Sequence, residues 1–141
     1  MAYRIKTPSK ISKAQEEETL KRFDEIISEI SQDHLISVNS QFKRVYDRLT
    51  KSEDKWKNNI AHIVDYMLEK TLWKSPFSEE NKIVLACAYY LCDPNDVIPD
   101  YVPEFGYIDD AYVVNMCLTK IYHENRTFHA KVIRFCERLE D

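Results

Sequence analysis

Six carboxylates with no basic neighbour are the feature of this sequence that could do chemistry. Residues 83–119 hold Asp93, Asp96, Asp100, Glu104, Asp109 and Asp110 but neither Lys nor Arg. The chain as a whole carries a net charge of −4, so the window is strongly acidic and the remainder is net positive. Oxygen-rich side chains this close together suit a hard divalent cation, which takes carboxylate ligands and can activate water. Asp96, Asp100, Asp109 and Asp110 are the candidate ligands or partner-binding groups. The competing arrangement is structural. Aspartates accept hydrogen bonds from the backbone amides of a loop that cannot satisfy its own, with Asp96 and Asp100 closing turns. Asp109 and Asp110 would then occupy the first turn of a helix, where the dipole favours negative charge. Pro94, Pro99 and Pro103 would shape that loop, and Gly106 would supply a positive φ at the helix entry. Lys57, Lys82 or Arg134 from other helices would complete the charge pairing. The structural arrangement is the expectation, and a divalent-metal-binding or metal-dependent hydrolase site formed by these aspartates is the alternative. No His or Lys lies in the window to act as general base or nucleophile, so an enzyme is not expected and no other cofactor is implied.

The remaining candidates for chemistry are sparse. Cys87, Cys92, Cys117 and Cys136 form no pair with zinc-ligand spacing, and they sit in apolar stretches. They are expected to be reduced, buried, small hydrophobes. His34, His62, His123 and His129 are scattered, and His62 with Asp65 gives only two ligands at i, i+3 on one helix face.

The elements that must position the acids are helical. The chain of 141 residues is 44% apolar and 31% charged and contains a single glycine. So little Gly argues against a fold built on tight β-turns. Leu20, Phe23, Ile27 and Ile30 make one amphipathic stripe, and Leu35, Val38, Phe42, Val45 and Leu49 make a second. The break is expected between Asp33 and Ser40, and the two stripes read as an antiparallel hairpin. Thr50, Lys51, Ser52 and Glu53 fit a capping box before a third helix that buries Trp56, Ile60, Ile63, Val64, Met67 and Leu68. Pro76 ends that helix near Trp73. Ser78 with Glu79 and Glu80 starts a fourth. Ile83–Cys92 is apolar without interruption, which places the fourth helix in the middle of a bundle. A fifth helix runs from Tyr107 to about Tyr122, and a sixth presents Phe128, Val132, Phe135 and Leu139. The fold class expected is all-α: one domain of five to six helices over 11–141, with an apolar helix–acidic Pro-rich loop–helix hairpin near its centre. A basic flexible arm, residues 1–10 with Arg4, Lys6 and Lys10, precedes it.

The segment from Tyr89 to Asp110 resembles the YkvA-like domain, a bacterial family of unknown function, over about residues 80–118. The family pattern is an apolar helix, then Pro-x-Asp-Leu-Ile-Pro-Asp, a further proline, and Gly-x-x-Asp-Asp opening another apolar helix. Pro94, Asp96, Ile98, Pro99, Asp100, Pro103, Gly106, Asp109 and Asp110 match it. Val97 stands where Leu is usual, and Glu104 where an apolar residue is more common. The resemblance implies the helical hairpin and brings no activity with it. Function is therefore expected to be non-enzymatic protein–protein interaction or regulation. A basic protein partner would meet the acidic segment through Tyr101, Phe105 and Tyr107 as apolar anchors. A peripheral membrane role through the basic arm is a further alternative. The acidic balance argues against nucleic acid, no apolar run is long enough for a transmembrane helix, and the N-terminus lacks a signal-peptide core, giving a cytoplasmic expectation.

Overall fold

The computed structural model describes residues 3–71, 78–93 and 107–140. Six helices follow in order: α1 Lys13–Glu29, α2 Gln32–Thr50, α3 Lys55–Thr71, α4 Glu79–Cys92, α5 Ile108–Glu124 and α6 Arg126–Leu139. There is no strand among the described residues. α4 is the central post, packed by α1, α2, α3 and α5, while α6 closes the far side against α3 and α5. Its composition explains the position. Ile83, Val84, Leu85, Ala86, Cys87, Ala88, Tyr90 and Leu91 are all buried, so no direction around the helix can face water at low cost. Cys87, Cys92, Cys117 and Cys136 are free and buried. Burial pushes the Cys136 thiol up to about 12, which leaves it an inert core group.

Three local expectations are corrected. α1 and α2 do not pack on each other among the described residues; each lays its stripe on α4 instead. Two amphipathic stripes can pair, but an all-round apolar neighbour offers both a larger dry surface. The break between them falls at Ile30 and Ser31 rather than after Asp33, because Ser31 caps α2: its N–H donates to His34 Nδ1 at 3.1 Å. Thr50 does not cap α3 either. It is the last residue of α2, and its hydroxyl donates back to the Tyr46 carbonyl at 2.9 Å, while Ser52 Oγ accepts the Asp54 amide. Ser78 does cap α4, accepting from the Asn81 amide at 3.4 Å. The expected end of α3 near Trp73 lies outside the described residues.

The N-terminal segment is seated by side chains that its charge conceals. Tyr3 and Ile5 are 7% and 5% exposed. The Ile5 amide donates to Asn115 Oδ1 at 2.8 Å, and Asn115 Nδ2 donates to the Ile5 carbonyl at 3.1 Å. Tyr3 Oη donates to Glu140 Oε1, which also accepts from Asn59 Nδ2, so the N-terminal segment and α3 share the carboxylate that follows α6.

Asn115→Ala removes both bonds to the strap and leaves the buried Ile5 amide without its acceptor; the expected loss is about 1–3 kcal/mol in urea unfolding, with faster proteolysis before residue 12. A second prediction concerns pH. Burial lowers the pKa of His129 below its ordinary value. The unfolded chain therefore binds the proton first, and stability falls as pH drops through the ordinary His range near about 6.5. Melting curves between about pH 7.5 and 5.5 should show this decline, and His129→Gln should flatten part of it.

Candidate functional site

The acidic motif is anchored at the junction where α4 ends and α5 begins. Tyr90 lies on the last turn of α4 and is fully buried; its hydroxyl donates to Asp109 Oδ2 at 2.7 Å. That is the length of a charge-assisted O–H···O⁻ bond. Asp109 and Asp110 occupy the first turn of α5 at 0% and 1% exposure. Carboxylates are costly to bury, and a helix N-terminus is among the few places where the backbone itself favours them. Their burial removes both from any surface that a protein partner could touch.

Two arginines reach the same junction from α1 and α2. Arg22 Nη2 on α1 meets Asp93 Oδ2 at 3.3 Å, at the end of α4, and its guanidinium lies 5.8 Å from the centre of the Tyr90 ring. Arg48 Nη1 on α2 donates to Tyr107 Oη at 3.3 Å. These two arginines were not among the cations expected from sequence. Lys57 and Lys82 instead pair within their own helical neighbourhoods, with Asp54 at 3.3 Å and Glu79 at 3.7 Å, and Arg134 is exposed on α6. Arg22 and Arg48 each precede a core residue, Phe23 and Leu49. An arginine at the border of an apolar stripe is the signal that could have found them.

Tyr107 corrects a further expectation. It is buried, not an exposed anchor, and it is the residue with positive φ at the entry to α5, at φ 74° and ψ 0°. A left-handed aromatic residue is strained by about 1–3 kcal/mol. Burial and the hydrogen bond from Arg48 hold it there. Gly106, assigned that role from sequence, lies outside the described residues, as do Asp96, Asp100, Glu104, Pro94, Pro99, Pro103, Tyr101 and Phe105.

No group of three His, Cys, Asp or Glu side chains is arranged to hold a metal among the described residues. His62 Nδ1 lies 3.3 Å from Tyr46 Oη. The neighbouring Asp65 carboxyl is raised first by burial and then by Glu69, with His62 acting in the opposite direction.

A family model described as "Protein of unknown function (DUF1232)" matches residues 82–116. The hairpin is similar to that family. The match begins in the first turn of α4 and ends midway along α5, so the Tyr90–Asp109 contact lies inside it. No curated protein and no solved structure matches the chain. No described helix is long and apolar enough to cross a membrane.

Tyr90→Phe keeps the ring and removes the donor. The expected cost is about 1–3 kcal/mol, since a buried carboxylate loses its bond. Arg22→Met, at a partly buried ion pair that water still reaches, should cost less, about 1 kcal/mol. Urea unfolding of both variants checks the order.

Proposed function

We propose that the chain is a non-enzymatic helical interaction or regulatory module whose acidic motif builds the scaffold. The observation that carries this is the burial of Asp109 and Asp110 within the α4–α5 junction. Groups locked there shape the fold, and recognition is left to the outer faces of the bundle.

The face that best fits a partner lies between α2 and α3. Phe42 and Tyr46 are half-buried beside Leu68 in a groove of about 370 Å³. Asp65 and Glu69 edge the groove, and its one cation, Lys43, is 3.4 Å from Asp47. An apolar floor with an acidic rim suits a cationic amphipathic segment of another protein, by complementary charge and by insertion of apolar anchors. This keeps the basic partner expected from sequence but moves the contact away from Asp109, Asp110 and Tyr107. Compartment and membrane attachment are not needed for it.

A divalent-cation role for Asp96, Asp100, Asp109 and Asp110 is the second reading. Its support is the burial of two adjacent carboxylates at one helix start, a place where a cation would offset like charge. Thermal melts with millimolar magnesium, manganese and calcium separate the two. The scaffold reading expects no upward shift. A saturable shift of several degrees, lost in Asp109→Asn, would replace it with the cation reading.

The interaction reading also expects Asp65→Lys with Glu69→Lys to leave the melting temperature within about 2 °C. The same change should weaken binding of a basic amphipathic peptide about tenfold in a fluorescence titration. Unchanged affinity in that titration would remove the α2–α3 groove as the contact.

A further inference from the structure

Residues 3–11 carry neither helix nor strand, and their side chains alternate. Tyr3 and Ile5 are buried, whereas Arg4 and Lys6 are exposed. Period-two alternation is what an extended segment shows when one side lies on a core. The bonds from Ile5 to Asn115 and from Tyr3 to Glu140 hold it as a strap. Arg4 and Lys6 are therefore displayed from a seated backbone and not from a free tail.

Beside the strap lies a cleft of about 570 Å³ whose charged walls are Arg4, Lys6, Lys10 and Glu16. Three cations against one carboxylate reverse the sign of a chain that is negative overall. The floor is apolar, formed by Ile5, Ile11, Ile108 and Ala111. Tyr112 stands at the side. Its hydroxyl is raised by burial first and by Glu16 next, while Arg4 acts to lower it. Both charges therefore act on one hydroxyl group within the cleft.

We propose that this cleft binds an organic phosphate of nucleotide size. Arg and Lys together give a phosphate charge-assisted hydrogen bonds and point charge. The volume lies in the small-ligand range of about 300–1,000 Å³ and is far larger than an inorganic anion needs. The apolar floor and the Tyr112 ring offer a surface to the rest of such a molecule. A strap already ordered by Tyr3 and Ile5 lowers the entropy cost of closing on a ligand. The cleft shares the start of α5 with Asp109 and Asp110 but is not lined by either of them; it is separate from the α2–α3 groove, and its existence does not rest on the interaction reading.

The test is calorimetric titration of the full chain with ADP at about 0.15 M salt, with amide shift mapping in parallel. Inorganic phosphate, adenosine, and phosphatidylcholine vesicles containing phosphatidylserine serve as the comparison probes. The expected result is saturable one-to-one binding of ADP, with shifts at the strap and the first turns of α5. Phosphate should bind more weakly, and adenosine should not bind. Arg4→Gln with Lys6→Gln should weaken ADP binding about tenfold or more with an unchanged melting temperature, both side chains being exposed. Lys10→Gln is a second, independent variant expected to act in the same direction. Absence of saturable ADP binding at millimolar concentration overturns the proposal. So does ADP affinity that these variants leave unchanged, and so does charge-dependent vesicle binding without ADP binding, which would make the strap a lipid-headgroup contact.

Discussion

Two carboxylates held out of water at the start of α5 are the constraint around which this bundle is organised. A buried charge costs several kcal/mol unless hydrogen bonds and opposing charge compensate. Groups from across the fold meet at the α4–α5 junction. The Tyr90 hydroxyl on α4 reaches Asp109, and the N-terminal turn of α5 contributes its dipole. Arg22 on α1 ties the end of α4 through Asp93. Arg48 on α2 holds the left-handed Tyr107 at the entry to α5. Four helices are thus coupled at one junction, and the pairing of α4 with α5 is defined by polar contacts as well as by dry packing.

The rest of the architecture follows from α4 being apolar on every side. A helix with no wet face must be surrounded, so α1 and α2 abandon each other for it and α3 and α5 complete the enclosure. α6, with its apolar residues on one face, closes the far side; its Phe135 stacks on Tyr66 of α3 at 4.2 Å between ring centres. The strap is the last layer. It adds Tyr3 and Ile5 to the core and brings Arg4 and Lys6 to the outside, where they impose a positive field on a small part of a negative molecule.

Much of this was legible in the residues. Periodicity located α1, α2, α3 and α6, because each stripe is governed by burial on a helix of fixed pitch, and strongly apolar composition located α4 and α5. The Ser78 cap and the first-turn position of Asp109 and Asp110 were legible because caps are local chemistry. Long-range choices were not. Nothing in the stripes of α1 and α2 says whether they prefer each other or α4. Nothing near residue 109 in sequence points to the Tyr90 hydroxyl as its neighbour, or near residue 93 to Arg22. Gly106 was the expected carrier of positive φ because glycine adopts it without strain; among the described residues Tyr107 carries one, held by tertiary contacts that the local sequence does not reveal. The strap was hidden for a simpler reason: two apolar anchors among several charges do not register in composition.

The functional synthesis separates scaffold from surface. The segment similar to the family of unknown function supplies the junction; the α2–α3 groove is built from residues outside that match, and the strap cleft sets Arg4, Lys6, Lys10 and Glu16 from outside it against Ile108, Ala111 and Tyr112 within it. The most direct test of the separation is calorimetric melting of Asp109→Asn beside the unaltered chain. If the carboxylate is a scaffold group, the melting temperature falls by several degrees, consistent with about 1–3 kcal/mol lost from a buried charge-assisted bond. An unchanged melting temperature, accompanied by loss of a catalysed turnover or of a bound ion, would contradict it.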